Sequence, residues 1–387
     1  MYNIKTYNKI SALGIEAFDK KCYNIGDDIN NPTAALVRSA SLHDTVFEES
    51  LIAIARAGAG TNNIPIETCT QNGIVVFNTP SANANAVKEL TVLGLLLASR
   101  KVVDGIEWAK TLKGNGKEVG KLVEKGKSAF VGPEIRGKKL GVIGLGAIGV
   151  LVANAANDLG MTVLGYDPFL SLQNAWNLSH NIIRATEMKE IFSECDYITL
   201  HVPLNKDTEN TIDKAALDSM KDGVRILNFS RDGLVNSADM LAAIKSGKVA
   251  AYVVDFPTEE MLCEESVIAI PHLGASTPES EDNCAVMAAK ELVDYIENGN
   301  ITNSVNFPNI SMAKSGIYRI AVIHKNIPNM LTAITSIVAK DNVNIENLLN
   351  KSRGDIAYTM LDINDCDIEM LKNHISALDG VVRVRII

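Results

Sequence analysis

The chain has 387 residues, of which 47% are hydrophobic and 21% are charged, and its formal net charge is −9. This length predicts two or three domains, and the composition excludes a wholly disordered chain. The acidic net charge argues against nucleic-acid binding, which needs a basic face. We also expect a cytoplasmic protein with no membrane segment and no metal site, since no apolar signal region, long aliphatic run or zinc-type cysteine spacing occurs.

Short apolar runs near the N-terminus predict a small α/β unit. The predicted strands cover residues 34–37, 52–55 and 74–77. Residues 78–81 interrupt this pattern, and a long helix is predicted from about residue 84 to residue 100. We interpret the interruption as a crossing from a first domain into a second.

The middle of the chain alternates apolar runs with helical segments. Helices are predicted at 148–159 and 238–246, and strands at 140–143, 162–166, 197–202, 225–228, 250–254 and 267–270. The strands are almost continuously apolar, as expected when both faces of a sheet are covered. This pattern predicts a doubly wound parallel sheet of the Rossmann type.

A turn-rich segment near residues 303–315 precedes a last unit of about 70 residues. Its pattern is strand, helix, strand, strand, helix and strand, at 317–323, 330–340, 343–351, 356–362, 368–377 and 381–387. This βαββαβ order predicts a ferredoxin-like unit with a regulatory or assembly role.

The glycine loop Gly144-Leu145-Gly146-Ala147-Ile148-Gly149 follows a predicted strand and begins a predicted helix. This context is typical of a dinucleotide-binding loop, in which the phosphates lie at the helix N-terminus. Asp167 ends the next strand, where a carboxylate accepts hydrogen bonds from ribose hydroxyls. No Arg or Lys follows Asp167 until Arg184, so the sequence favours NAD over NADP.

Hydride transfer from a hydroxy acid needs a base, a cation for the carboxylate and a nicotinamide against the reacting carbon. In an open α/β sheet these groups are expected beyond the carboxyl ends of the strands. Three peptides occupy such positions, at residues 228–233, 255–260 and 271–277. They contain Arg231, Glu259, Glu260 and His272.

The glycine loop and these peptides, with Arg56-Ala57-Gly58-Ala59-Gly60 and Asn78-Thr79-Pro80, resemble the D-isomer-specific 2-hydroxyacid dehydrogenases in order and over nearly the whole chain. The resemblance implies an NAD-binding domain at residues 84–275. It also implies a smaller flavodoxin-like substrate domain at 1–83 and 276–305, a linker at 306–315 and an ACT regulatory domain at 316–387.

The resemblance implies that Arg231 binds the substrate carboxylate and carbonyl and that His272 accepts the hydroxyl proton. A glutamate should stabilise the resulting imidazolium. Two residues are candidates for this glutamate. The fifth residue after Asp255 is Glu260, whereas alignment on the Phe-Pro-Thr-Glu string that occurs in some relatives gives Glu259. We favour Glu260. His201 is a rival for the base.

The remaining site residues are also implied by the resemblance. The expected cofactor contacts are Gly144, Gly146, Ala147, Ile148, Gly149, Asp167, His201, Val202, Pro203, Phe229, Ser230, Asp255, Gly274 and Ala275. The expected substrate contacts are Arg38, Ser39, Arg56, Gly58, Ala59, Gly60 and Asn83. The expected contacts to an L-serine effector are His324, Asn326 and Asn344.

Arg38 and Arg56 are the local cations that an acidic protein needs for a phosphorylated 2-hydroxy acid. A hydroxypyruvate or glyoxylate reductase of the same family is the alternative, since its substrate needs no such pair. A third hypothesis is a non-catalytic NAD-sensing corepressor. The sequence disfavours this hypothesis because Arg231, His272 and an acidic partner are all present. The apolar helix from Ala84 predicts a homodimer or homotetramer.

Overall fold

In a computed structural model, which describes residues 1–262 and 264–387, the chain forms two compact units. Unit 1 comprises Met1–Asn83 and Pro278–Ile387, and unit 2 comprises Ala84–Thr277. The sequence analysis places the return to the first domain at residue 276. The further division of unit 1 into a substrate domain and an ACT domain stays a prediction. No helix in the described residues is long and apolar enough to cross a membrane.

The strands are β1 (Tyr2–Tyr7), β2 (Tyr23–Gly26), β3 (Ala34–Val37), β4 (Ala53–Arg56), β5 (Val75–Phe77), β6 (Lys139–Ile143), β7 (Thr162–Tyr166), β8 (Ile183–Arg184), β9 (Tyr197–Leu200), β10 (Val224–Asn228), β11 (Val249–Val254), β12 (Val267–Ala269), β13 (Tyr318–Lys325), β14 (Ile345–Arg353), β15 (Ile356–Ile363) and β16 (Val381–Ile386). The α-helices are α1 (Ala12–Glu16), α2 (Ile66–Gln71), α3 (Ala84–Ser99), α4 (Val102–Thr111), α5 (Val119–Gly126), α6 (Ala147–Asp158), α7 (Leu172–Trp176), α8 (Met188–Glu194), α9 (Lys214–Ser219), α10 (Ser237–Lys245), α11 (Pro278–Asn298), α12 (Met330–Lys340) and α13 (Ile368–Ser376).

The first sheet of unit 1 is parallel, with strand order β2-β1-β3-β4-β5. This order is the flavodoxin type, so the predicted fold class is confirmed for this part. The sequence analysis finds neither β1 nor β2, because their exposed positions carry polar residues such as Asn3 and Lys5 and the apolar runs are short. β3 and β5 are fully buried apolar strands and were predicted within one residue.

Unit 2 contains a seven-stranded parallel sheet with the order β12-β11-β10-β9-β6-β7-β8. The order reverses between β6 and β9, which are neighbours although β7 and β8 lie between them in the chain. Apolar clusters cover both faces, because Val142 packs into one cluster and Ile143 into another. The Rossmann-type prediction is therefore confirmed. Such a reversal opens a crevice at the carboxyl ends of the strands, where dinucleotides bind.

The last part of unit 1 is an antiparallel sheet with the order β14-β15-β13-β16, the ferredoxin-like arrangement that the sequence predicts. α12 and α13 cover one face, where Ile320 and Val322 are buried. The opposite face buries Ala321, Ile323 and other side chains in one core with Leu292 and Tyr295 of α11. The ferredoxin-like sheet and the flavodoxin-like layer therefore share a hydrophobic core.

The C-terminal end of α11 is capped by side chains of the ferredoxin-like sheet. A helix leaves its last carbonyl groups without intrahelical donors. Here Arg385 donates to the carbonyls of Tyr295 (3.2 Å) and Ile296 (3.0 Å), and Arg319 donates to Asn298 (2.8 Å). These bonds fix the sheet to α11, whose N-terminus follows the peptide that contains His272 directly.

Residues 306–315, predicted as a linker, carry the buried side chains Phe307, Ile310 and Met312. Ile310 also forms an antiparallel bridge with Ile301. At the start of α12, Asn329 adopts the left-handed conformation with φ 69°, which asparagine tolerates better than most residues.

Candidate active site

The glycine loop lies between β6 and α6, as predicted. Gly144 has φ +93°, which favours glycine, and its N–H donates to the carbonyl of Tyr166 (2.8 Å). A side chain on Gly149 would overlap the carbonyl oxygen of Gly144, whereas a Cβ on Gly146 would meet no atom within 4 Å. The loop is therefore packed at its two ends and open in the middle, at the N-cap of α6, where a phosphate can approach the backbone.

This geometry predicts opposite outcomes for two substitutions. Gly146→Ala should leave the melting temperature unchanged, since the new methyl group enters open space, but should weaken NAD binding about tenfold or more by blocking the phosphates. Gly149→Ala should lower the melting temperature because of the overlap with Gly144. Thermal unfolding and NAD titration measure both effects. Equal NAD affinity in Gly146→Ala and the wild type would contradict this account of the loop.

Asp167 follows β7 and is fixed by the glycine loop. Its Oδ2 accepts from the N–H of Leu145 (2.8 Å), and its Oδ1 accepts from the N–H of Phe169 (2.8 Å). Asn174 donates to the carbonyl of Leu145 (3.1 Å). The carboxylate thus lies beside the loop, where the sequence predicts a ribose contact, and Asn174 is a supporting residue that sequence reasoning missed.

Two buried polar groups beyond the carboxyl ends of β9 and β11 lack partners among the described residues. Both carboxylate oxygens of Asp255 are buried without a hydrogen bond, and so is Nδ1 of His201. Burial raises the pKa of Asp255 to about 6, which the positive charge of Arg231 partly offsets. Unsatisfied buried polar groups are rare and suit a ligand that supplies the missing hydrogen bonds. With the open glycine loop, they fit a bound dinucleotide.

Arg231 follows β10 in a turn that Asn228 holds. Asn228 is fully buried; its Nδ2 donates to the carbonyl of Arg231 (2.7 Å), and its Oδ1 accepts from the N–H of Ser230 (3.1 Å). Ser230 Oγ donates to the carbonyl of Leu200 (2.6 Å). The Arg231 side chain is exposed and, among residues 1–262 and 264–387, donates to the neighbouring carbonyl of Ser230 (2.6 Å). Its guanidinium therefore remains accessible to an anion. Asn228 was not among the predicted site residues.

His272 lies beyond β12, and its ring is 4.4 Å from that of Phe256 between centroids. Burial and the charge of Arg231 lower its pKa below the ordinary 6.5, so the imidazole is neutral at pH 7. Arg231 and His272 are thus close enough to interact electrostatically, and their assigned roles stay predictions.

Among the described residues, neither candidate glutamate forms a hydrogen bond or an ion pair with His272. They lie in a 3-10 turn at Glu259–Met261, where a hydrogen bond from its own backbone lowers the pKa of Glu260. A carboxylate neighbour would raise the pKa of His272, whereas the pKa of this histidine is lowered. The pairing of Glu260 or Glu259 with His272 stays a prediction.

His201 has a different environment from His272. Its Nε2 lies 3.0 Å from Thr199 Oγ1, and burial lowers its pKa far below the ordinary value. Its carbonyl and the side chain of Val202 lie against Gly144. His201 therefore borders the glycine loop, and its strongly depressed pKa makes it a weaker proton acceptor than His272.

In unit 1, the predicted substrate residues gather at the carboxyl ends of β3 and β4. Arg56 Nε donates to the carbonyl of Arg38 (3.1 Å), and the Arg56 guanidinium lies where a side chain on Gly58 would be. Gly58 has φ +154°, so only glycine fits this approach. Asn78 donates to the carbonyl of Ala59 (2.6 Å) and holds the loop.

Two residues of this cluster were missed by sequence reasoning. Asn8, after β1, accepts from the N–H groups of Ser39 (3.2 Å) and Ala40 (2.5 Å). Glu281 of α11 forms an ion pair with Arg38. Neither carries a local sequence signal, because each partner is more than 30 residues away in the chain.

The other predicted residues lie in several environments. Gly274 is buried beside Asp255. A Cβ atom added to Gly274 would lie 3.7 Å from Asp255 Oδ2. The Phe229 side chain is buried in the core of unit 2. Ala147, Ile148, Ala275, Gly60 and Asn83 are half-buried, and Pro203 is exposed and accepts at its carbonyl from Thr208 Oγ1 (2.5 Å).

The predicted effector residues do not form one cluster. His324 is buried, with Nδ1 2.8 Å from the carbonyl of Lys325 and Nε2 2.8 Å from Thr359 Oγ1. Asn326 is exposed and donates to the carbonyl of Gly354 (3.0 Å). Asn344 is also exposed and donates to Glu346 (2.9 Å).

The architecture resembles known structures. One is an NAD-bound 3-phosphoglycerate dehydrogenase from Entamoeba histolytica, with a TM-score of 0.59 and 24% identity over 79% of this chain and 98% of that chain. Another is a D-mandelate dehydrogenase from Rhodotorula graminis, with a TM-score of 0.66 and 19% identity over 81% of this chain and 99% of that chain. At these identities the likeness supports the fold alone.

Sequence comparisons go further. Residues 93–275 match the model of the D-isomer specific 2-hydroxyacid dehydrogenase NAD binding domain, and residues 320–383 match an AHAS small subunit-like ACT domain. A D-3-phosphoglycerate dehydrogenase from Haemophilus influenzae is 32% identical over 87% of this chain and 81% of its own length. The Escherichia coli enzyme of that name is 33% identical over 88% and 82%. The chain therefore belongs to the D-isomer specific 2-hydroxyacid dehydrogenase family and carries an NAD-binding domain and an ACT domain.

Proposed function

We propose that this protein oxidises 3-phospho-D-glycerate to 3-phosphohydroxypyruvate with NAD, and catalyses the reverse reaction, as the first step of L-serine biosynthesis. The observation that carries the proposal is the paired placement of Arg38 and Arg56 in a chain of net charge −9. Arg56 Nε donates to the backbone carbonyl of Arg38, so both cations lie at the carboxyl ends of β3 and β4. Guanidinium groups suit a phosphate, and relatives at 32–33% identity are named D-3-phosphoglycerate dehydrogenase. Initial rates with 3-phospho-D-glycerate and D-glycerate, each with NAD and NADP, test it.

His272 is the proposed base. Its neutral imidazole takes the proton from the substrate hydroxyl, and the depressed pKa keeps it in the accepting form at pH 7. Arg231 binds the carboxylate and carbonyl, and Asn228 holds the turn that presents it. NAD, when bound, supplies the nicotinamide ring that accepts the hydride. Asp167, the glycine loop and Asp255 are the residues that would hold it.

Glu260 is the proposed positioning partner of His272. In the structure its own backbone N–H stabilises the carboxylate and lowers its pKa. The charge of Arg231 disfavours an imidazolium, so a carboxylate near His272 would offset that effect once the proton has been taken up. Glu259 remains the alternative for this role.

Asp255 gives the protein a pH-dependent stability. Its pKa is raised from 3.8 to about 6 in the folded protein. The stability that this carboxyl group contributes is therefore fully present below pH 3.8 and is lost as the pH rises through 6. Asp255→Asn should therefore stabilise the NAD-free protein at pH 8 by up to about 3 kcal/mol and by much less at pH 5. Urea unfolding at the two pH values measures this. An equal effect at both would contradict the account.

We also propose L-serine as the ligand of the ACT domain, at His324, Asn326 and Asn344. A domain of this class after a biosynthetic enzyme suits feedback by the end product. Initial rates should fall with L-serine and not with D-serine. Insensitivity of the intact protein to L-serine would reject this role.

A homodimer is proposed through the apolar side chains that α3 and α4 leave exposed. Leu93 and Leu96 of α3 are 48% and 44% exposed, and Ile106 of α4 is 51% exposed. Exposed apolar rows of this kind mark association surfaces. Light scattering on purified protein, with Leu93→Lys as the disrupting variant, tests it. A homotetramer and a cytoplasmic location also stay proposals.

A further inference from the structure

A groove of about 690 Å³ lies beside α11 in unit 1. None of the residues assigned above to NAD, substrate or serine lines it. Leu13, Val286 and Met287 form its apolar surface, and Asp282, Lys290, Glu291 and Asp294 are its charged lining residues. The groove therefore combines apolar surface with mainly negative charge.

Glu291 is the unusual member of this set. It is only 7% exposed, and its Oε1 accepts from Asn303 Nδ2 (2.7 Å). Its Oε2 is buried without a hydrogen-bond partner in the described structure. Burial raises the pKa of Glu291 to about 8, against which the Asn303 bond acts. A buried carboxyl group with one unsatisfied oxygen is costly unless a ligand completes its hydrogen bonds.

The other carboxylates of the groove are already engaged. Asp282 accepts from Ser11 Oγ, and Asp294 Oδ1 accepts from Asn298 (2.9 Å) and Asn300 (3.0 Å). Among the described lining residues, Glu291 thus offers the buried carboxyl oxygen that is still unengaged. A cation is the ligand that this oxygen favours, because a positive charge stabilises the ionised form of Glu291.

The chemistry favours an organic cation over a metal ion. Calcium and magnesium take six or more oxygen ligands, and the described residues contain no group of three His, Cys, Asp or Glu side chains that could hold a metal. An alkylammonium ion needs one charged oxygen and apolar surface for its carbon atoms. We propose that this groove binds a small organic ammonium ion, which donates to Glu291 Oε2 and places its alkyl part on Leu13, Val286 and Met287.

The site is connected to the substrate loop. Asn303, which binds Glu291, accepts at its carbonyl from the N–H of Asn78 (3.3 Å), and Asn78 donates to the carbonyl of Ala59 (2.6 Å). Occupation of the groove should therefore change the KM for substrate. This consequence rests on the proposed function, whereas ligand binding itself does not.

Isothermal titration calorimetry with ethanolamine hydrochloride tests the site directly. Glu291 is protonated in the empty site at pH 7, so binding should release about one proton, seen as a difference in heat between phosphate and HEPES buffers, neither of which contains a primary ammonium ion. The affinity should rise about tenfold per pH unit up to pH 8. Glu291→Gln, which keeps an acceptor for Asn303, should weaken binding about tenfold or more.

Glu279→Gln is the matched control, since it removes an exposed carboxylate of the first turn of α11 that does not line the groove. It should bind ethanolamine as the wild type does, and sodium propanoate should not bind to either protein. Absence of saturable heat in the wild type, or binding without proton release, would overturn the proposal even if Glu291→Gln failed to fold. If potassium chloride competed with ethanolamine equally well, the proposal that the ligand is an organic cation would be wrong. Ethanolamine binding in a protein inactive on 3-phospho-D-glycerate would reject the proposed function alone.

Discussion

His272→Ala should lower kcat for oxidation about a thousandfold while changing the Kd for NAD little. A positioned base contributes about 10²- to 10⁴-fold to such a reaction, and His272 has no role in the glycine loop. Because the pKa of His272 lies below 6.5, kcat/KM for oxidation should fall only at pH values below 6.5. Stopped-flow kinetics and NAD titration separate the two effects.

The charge of Arg231 gives this prediction a second readout. Arg231 lowers the pKa of His272, so Arg231→Gln should move the acid limb of kcat/KM to higher pH, whereas Arg231→Lys should leave it in place. His201→Gln is the matched control, since His201 is a histidine of the same unit whose depressed pKa makes it a poor base. A full loss of turnover in His201→Gln with activity retained in His272→Ala would reverse the assignment.

Arg319→Met should lower the free energy of unfolding by about 3–5 kcal/mol, the usual cost of leaving one member of a buried ion pair unpaired. Arg319 and Asp362 are both 0% exposed and are joined by two hydrogen bonds of 2.6 and 2.8 Å. Arg319 also donates to the carbonyls of Asn298 and Met312. It therefore ties β13 to the end of α11.

The double variant Arg319→Met/Asp362→Leu should recover much of this loss, because it removes both charges, but not the part due to the two carbonyl groups. Lys372→Met, in the exposed pair with Glu369, should cost less than about 1 kcal/mol and serves as the control. Urea unfolding measures all three. A cost for Arg319→Met as small as that for Lys372→Met would contradict the shared-core description.

The same ion pair makes the free energy of unfolding depend on pH. Burial raises the pKa of Asp362, but the hydrogen bonds from Arg319 and Ser315 outweigh it and leave the pKa below 3.8. A depressed folded pKa contributes stability that is present above the unfolded value and is lost as the pH falls through the folded one. This contribution should therefore persist at pH 5 and decline below pH 3.8.

The sequence predicts those parts of the structure that depend on local pattern. The predicted strands of unit 2 are mostly apolar, whereas β8, the exposed pair Ile183–Arg184, was missed. The glycine loop between β6 and α6 combines a fixed spacing with a strand before it and a helix after it. β1 was missed because its side chains are partly exposed and polar, so it lacks such a run.

Contacts between distant parts of the chain could not be predicted in this way. The bonds between Arg319 and Asp362 join residues 43 positions apart, and Arg385 caps a helix about 90 positions away. No spacing rule links such residues, so the packing of the ferredoxin-like sheet on α11 appears only in three dimensions. The turn held by Asn228 is local, but an asparagine at a strand end is too common to indicate it.

The most direct test of the account is the ratio of kcat/KM for 3-phospho-D-glycerate to that for D-glycerate with NAD, in the wild type and in Arg38→Gln. The account predicts a ratio well above one in the wild type and a fall of about tenfold or more in the variant, because one charged hydrogen-bond donor to the phosphate is lost. A wild-type preference for D-glycerate, or an unchanged ratio in Arg38→Gln, would contradict it.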